Sequence, residues 1–546
     1  MFAHSLTARL TTKLALFLSN CRKGSKTAAA LDRLAASLSA VFAASTLAKV
    51  LWHRDVSPPI WHKSLLHRLY RAPQWLLIKI LLPISRLAGK SLPASITYRA
   101  YKYTTARPYL LFIICGILAL AALALLPFSL ALKLLAAAAV LFPVLHNTGW
   151  GLFLLAFALP FVTNEMLLLL AGLIGVSFAV HSVLKGRLKL LPLPVEPALV
   201  IYLLTAVLAT LGSATLKGSL RDLAMYAFSF LAFFVLINQI KTKKELKTFL
   251  MIALLSGLLV ALFGIYQYLT GAPMEEGWID PVRGSGITVR VYSFFGNPNV
   301  LAEYLLMLIP FAAALFFTAK KPQAKLFYLI TACTLALCLL LTFSRGGLLG
   351  LLVAAVFFIL LKDRKLIILL LIAALIGAAA MPDVFLQRFS SIGDPQDTST
   401  AYRLTVWKET LGMVKDYPLT GVGLGYQAFQ KMYPYYMLDR TKRPFHSHNA
   451  YLQITAEMGI IGLLAFLWLL AGIFKRGMKA LGTSRDKFLS HTVMAALSAL
   501  LGILTQGIAE VIIYMPKITM LFWLTAALVF LCIKLESQNN ALGSED

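Results

Sequence analysis

The stretch His446-Ser447-His448-Asn449-Ala450-Tyr451-Leu452, continuing through Glu457 to Gly459 and Gly462, sets two histidines where a long polar loop returns to an apolar run. Imidazole titrates near neutrality, so a histidine held at such a boundary can take a proton from an attacking hydroxyl. A helix cap or interfacial anchor is the structural alternative. Three arginine-bearing segments accompany the pair: Arg290-Val291-Tyr292-Ser293-Phe294-Phe295-Gly296-Asn297-Pro298-Asn299, Ser344-Arg345-Gly346-Gly347, and Arg403-Leu404-Thr405-Val406-Trp407. Guanidinium groups bind phosphate oxygens through paired hydrogen bonds and stay charged, so a cluster of them suits a pyrophosphate that must depart as a leaving group. Asn297-Pro298-Asn299 also reads as a turn and helix start, and Arg345 could instead snorkel to headgroups. The run Gly421-Val422-Gly423-Leu424-Gly425 lacks the Gly-Lys-Ser/Thr ending of a phosphate loop and reads as turns. No Asp-x-Asp pair or acidic and histidine cluster with metal spacing is recognised on this face, so no metal and no cofactor are expected.

The elements that must position these groups are membrane spans. With 546 residues, 59% hydrophobic and 14% charged, and a mean hydropathy of +0.78, the chain repeats apolar runs long enough to cross a hydrocarbon core of about 30 Å. The expected fold class is an all-α polytopic membrane protein with about 14 transmembrane helices, 12–14 being plausible, and a large extracytoplasmic loop carrying short helices. The net charge of +28 sits mainly in short loops and in the first hundred residues. Anionic membrane lipids, and no nucleic acid, are the expected partners. Cys21 lies in the basic N-terminal segment, while Cys115, Cys333, Cys338 and Cys532 lie in apolar runs and read as small packing residues.

Residues 1–107 form a basic extension, cytoplasmic or interfacial, with short apolar stretches such as Leu65–Lys90 and no secretory signal pattern. Residues 108–535 form the transmembrane domain, and 536–546 a cytoplasmic tail. Spans are expected near 109–127, 130–146, 149–163, 165–184, 197–214, 220–239, 248–270, 299–318, 326–343, 346–361, 366–381, 450–474, 490–509 and 516–535. Basic loops after the even-numbered spans place those loops and both termini in the cytoplasm. The long connections 271–298 and 382–449 are then outside, and only the Lys217/Arg221 pair conflicts with this count.

Ser344-Arg345-Gly346-Gly347 with Leu349, and the His446 to Gly462 stretch with its Gly-x-x-Gly, resemble motifs of the bacterial O-antigen ligase and polymerase superfamily over roughly residues 200–535. The resemblance implies a metal-independent glycosyltransferase of the cytoplasmic (inner) membrane with an extracytoplasmic active site. Its donor would be an undecaprenyl-pyrophosphate-linked glycan and its acceptor an envelope molecule. By motif position His448 would be the base, with His446 competing. Arg290 and Arg345 would hold the donor pyrophosphate, supported by Arg403, while Asn299, Asn449, Tyr451 and Glu457 complete the candidate site. Displacement without a covalent intermediate would invert the anomeric carbon. A polymerase joining lipid-linked repeat units is the alternative within the superfamily. A lipid-linked oligosaccharide flippase is the alternative of another class, disfavoured by polar groups gathered at one surface and the lack of a clear repeat.

Overall fold

The computed structural model of the protein describes residues 140–184, 196–272, 289–368, 370–372, 398–438 and 443–542, together with residues 127 and 129. The chain divides into two compact units, Met1–His62 and Lys63–Asp546, and the described residues all belong to the second. The basic extension 1–107 lies outside them.

The described residues contain helices and no strand. In chain order the α-helices are α1 (Thr148–Ala158), α2 (Asn164–Leu184), α3 (Glu196–Leu211), α4 (Leu216–Gln239), α5 (Lys243–Leu269), α6 (Pro298–Thr318), α7 (Pro322–Leu341), α8 (Arg345–Lys362), α9 (Thr398–Asp416), α10 (Tyr426–Met432), α11 (Ala450–Thr483), α12 (Lys487–Gln506) and α13 (Pro516–Leu542). Nine of these described helices are long and apolar enough to cross a membrane: α2, α4 to α8, and α11 to α13. The stretches 149–163 and 197–214, expected as spans, instead give helices of 11 and 16 residues. Pro160 disfavours helix beyond α1, while Pro197 sits in the first turn of α3 and Gly212 follows its last residue. The expected spans 109–127, 130–146 and 366–381 lie wholly or mostly outside the described residues.

Polar contacts at the helix ends sort the bundle into two faces. At one, Lys243 at the start of α5 pairs with Asp486 before α12 at 2.7 Å. There Lys534 of α13 donates to the Ile237 and Ile240 carbonyls that end α4, and Glu536 accepts from Ser484 and Arg485 beyond α11. At the opposite face, Gln267 near the end of α5 holds the Tyr292 and Ser293 amides before α6. The C-terminal end of α7 and the starts of α6, α8, α11 and α13 meet there. Arg221, half of the conflicting basic pair, sits on this second face and pairs with Glu165 at 3.1 Å. Aromatic packing fills the interior between α3, α4, α11 and α13, where Trp523 lies 4.4 Å from Phe230 and 6.4 Å from Tyr202 between ring centroids. Cys338 and Cys532 are buried as expected of packing residues, but Cys333 is exposed.

The segment between α8 and α11 makes its own small core from Val406, Met413, Val422, Phe429, Tyr433 and Ala456. The last of these residues belongs to α11, which breaks at Gly459 (φ 68°, ψ −178°). The break turns the Ala456 and Glu457 carbonyls toward the Val422 and Gly423 amides, which donate at 2.8 and 3.3 Å, while Ile460 N–H donates to Pro418. Gly421 to Gly425 therefore makes turns against a broken helix, and all three glycines have positive φ. Gly459→Ala should cost about 1–3 kcal/mol from backbone strain alone, and more because a side chain there also meets the Leu419 carbonyl. A lowered melting temperature with faster hydrogen exchange at Val422 and Gly423 is the expected result.

Candidate active site

Each turn that carries a candidate residue is fixed locally by capping. Asn297 accepts from the Asn299 and Val300 amides with Pro298 at the first helical position, so α6 starts where Asn299 faces the site. Ser344 caps α8 by accepting from the Gly347 amide, which sets Arg345 at its first position. Asn449 caps α11 by accepting from Tyr451 and Leu452 N–H groups. Ser293, Phe343 and His448 are the non-glycine residues with positive φ among the described residues, and all three belong to these turns. Left-handed backbone at such positions is held only where surrounding contacts over-determine it.

The turns converge on a residue the sequence reading did not select, Glu510. It stands in the link between α12 and α13 with its side chain 12% exposed. One carboxylate oxygen lies 3.2 Å from His448 Nδ1 and 4.0 Å from His446 Nε2. The other lies 3.5 Å from an Arg403 guanidinium nitrogen and accepts from Asn299 Nδ2 at 3.0 Å. Asn299 Oδ1 in turn accepts from Arg290 at 3.3 Å, and Arg290 Nε donates to the Thr342 carbonyl at 3.0 Å. The amide is thus oriented from both sides. Gln506 donates to the Asn299 carbonyl at 3.3 Å, and its side chain stands 3.3 Å from where a Cβ on Gly346 would be. Arg345, half-buried, is therefore at the same end. Leu349, which completes its motif, faces outward at 43% exposure.

Electrostatics decide the tautomers. Burial pushes the Glu510 carboxyl up, but the hydrogen bond and charge of His448, with Arg403 and His446, outweigh it and hold the group well below the usual carboxylate range. An ionised carboxylate only accepts, so His448 Nδ1 carries a proton toward it, and in the neutral form of the ring the lone pair lies on Nε2. His446 Nδ1 accepts from the His448 amide at 3.3 Å, which leaves the proton of the neutral ring on Nε2, toward Glu510. Burial lowers the His446 pKa to about 4, partly opposed by Glu510 and reinforced by His448 and Arg403. Its ring is neutral at pH 7.

A folded pKa below the unfolded value means that the unfolded chain binds more protons between about pH 4 and 6.5, so stability falls as pH drops through that window. Against a His446→Phe variant, the melting temperature of the wild type is expected to fall more steeply between pH 6.5 and 4.

The remaining candidates act on the scaffold. Asn449 spends its side chain on the cap, and Tyr451 donates its hydroxyl to the Leu504 carbonyl at 2.8 Å, tying α11 to α12. Glu457 is buried two turns into α11 and accepts from Gln453 at 2.7 Å, away from the Glu510 contacts. The expectation that no acidic and histidine cluster with metal spacing exists on this face is corrected. His446, His448 and Glu510 bring ligand atoms within 4.8 Å of one another, with Glu510 supplied 62 residues after His448. Arg403 already supplies positive charge to Glu510, which opposes a divalent ion there.

Residues 330–467 match the sequence profile of the O-antigen ligase family. A protein of Rickettsia conorii, provisionally named a polysaccharide ligase, is 36% identical over 83 residues, 14% of this chain and 20% of the relative. One of Rickettsia felis, with the same provisional name, is 34% identical over an equal length and share. These matches span about a fifth of the relatives' length. The family segment contains Arg345, Arg403, His446, His448 and Glu457, whereas Arg290, Asn299 and Glu510 come from outside it. The similarity of this chain to the O-antigen ligase family thus lies in residues 330–467, the segment that carries Arg345, Arg403 and both histidines.

Proposed function

We propose that the protein transfers a glycan from a polyprenyl-pyrophosphate-linked donor, of the undecaprenyl type, to an acceptor hydroxyl at the outer face of the cytoplasmic membrane. The observation that carries this reading is His448, whose Nδ1 faces Glu510, beside arginines from separate segments of the chain. The acceptor hydroxyl gives its proton to Nε2 while its oxygen attacks the anomeric carbon, and the carbon–oxygen bond to the pyrophosphate breaks. Arg290, Arg345 and Arg403 take up the negative charge that gathers on the departing lipid pyrophosphate. No metal enters this scheme, and a single displacement inverts the anomeric centre. His446 serves as a neutral neighbour of the base rather than as the base. The orientation rests on the basic loops around 241–247, 320–325, 362–365 and 475–487, which follow helix ends opposite the site.

The test incubates purified protein in lipid, with chelator present, with an undecaprenyl-pyrophosphate oligosaccharide and a panel of envelope acceptors. Release of undecaprenyl pyrophosphate with glycan on a new acceptor identifies a ligase, and lengthened lipid-linked chains identify a polymerase. An intact donor with every acceptor, or one merely moved between leaflets, sinks the transfer reading.

A further inference from the structure

A second polar pocket adjoins the histidine pair and is used by none of the steps above. Asp222 and Tyr226 of α4, Tyr426 at the start of α10, Gln453 and Glu457 of α11, and Tyr514 before α13 line it. Two connections tie it to the candidate base. Gln453 donates to Glu457 at 2.7 Å and accepts, through its oxygen, from the amide of Ser447, the residue between the two histidines. The Tyr514 ring packs edge-on against both His446 and Tyr426, with centroid separations of 5.2 and 5.5 Å.

The pocket has an unmet demand. Asp222 Oδ2 is shut away from solvent without a hydrogen-bond partner, and a buried carboxylate oxygen in that state is costly unless a donor is supplied. Gly425 packs directly against it, where any side chain would collide with the carboxylate. The neighbouring Arg221 is engaged outside with Glu165. The room among these side chains is about that of one water molecule, the space that a single hydroxyl or hydroxymethyl group needs. Three tyrosine rings surround it, and aromatic faces pack well against the C–H side of a sugar ring.

Resting on the glycan-transfer reading, we infer that this pocket is an acceptor subsite that receives a hydroxyl-bearing arm of a sugar, with Asp222 accepting its proton in a hydrogen bond and Tyr426 and Tyr514 against the ring. The acceptor is accordingly a carbohydrate, the sugar end of a glycolipid or of another lipid-linked chain. Committed bonds to Glu457 and the aromatic walls favour a polyol over a cation, which would want several oxygens at once.

The experiment uses the full chain in lipid nanodiscs. Saturation-transfer NMR compares methyl glucopyranoside with its 6-deoxy counterpart on the wild type, Asp222→Asn and Tyr514→Leu. Parallel transfer assays vary donor and carbohydrate acceptor separately, with and without Mg²⁺ and Ca²⁺. Expected are a signal from methyl glucopyranoside that drops several-fold on loss of the 6-hydroxyl or in either variant, and an acceptor KM raised about tenfold in Asp222→Asn with donor KM unchanged. Equal glycoside signals in wild type and both variants, none in the wild type, or a cation-dependent activity abolished by Asp222→Asn would overturn the subsite. Failure of the wild type to transfer glycan sinks the transfer reading, while the glycoside comparison still decides the pocket.

Discussion

Replacing His448 with alanine is expected to lower glycan transfer by about 10²- to 10⁴-fold, the usual contribution of a positioned general base. The loss should fall on turnover, because the imidazole meets the acceptor proton and the donor is held by guanidinium groups on other segments. His446→Ala removes a ring that packs 4.4 Å from His448 but whose Nδ1 is already spent on the His448 amide. Its deficit should be the smaller of the two. Turnover under saturating donor, with melting temperatures to confirm folding, separates the assignments. An inactive His446→Ala beside an active His448→Ala would reverse the roles.

Glu510→Gln should bring a loss of about 10²- to 10⁴-fold, by analogy with the wrong-tautomer effect in the Ser-His-Asp triad. The carboxylate accepts from His448 Nδ1 through one oxygen and from Asn299 through the other. A glutamine offers one oxygen and one NH₂ in the same space, so one of the two donors must face a donor. If His448 faces it, the ring proton moves to Nε2 and the base is lost; if Asn299 faces it, the amide that Arg290 holds must turn. The expected signature is a collapsed turnover with donor KM no higher than in the wild type, since Arg403 loses an intramolecular anion and keeps its charge. A raised donor KM together with a fallen melting temperature would instead mark Glu510 as scaffold only.

The fold was legible where the signal was long. Apolar runs near 220–239, 248–270, 299–318 and 346–361 correspond to α4, α5, α6 and α8 within a few residues, because a span must be about 20 apolar residues whatever it packs against. The runs at 149–163 and 197–214 were misleading, since hydropathy does not register where Pro160 and Gly212 interrupt regular structure. Glu510 illustrates the limit for the site. It offered one usable signal, a solitary acid between two apolar spans, a position where ionisable groups are costly. Nothing in its neighbours Ala509 and Val511 pointed to a histidine 62 residues earlier.

The sequence by itself determined the chemistry available: an apolar chain built to cross a membrane, two histidines at the start of one helix, and arginines in three separate segments. Side-chain type sets proton affinity and charge, and hydrophobic length sets where the chain can lie. Which ring nitrogen of each histidine faces the buried Glu510 was decided only by tertiary structure, because the carboxylate arrives from a distant link of the chain. The same holds for Asn449 and Tyr451, whose polar atoms are consumed by a helix cap and a helix–helix bond. A hydrogen bond needs partners within about 3 Å, and packing alone brings residues 290, 299, 448 and 510 close to that distance.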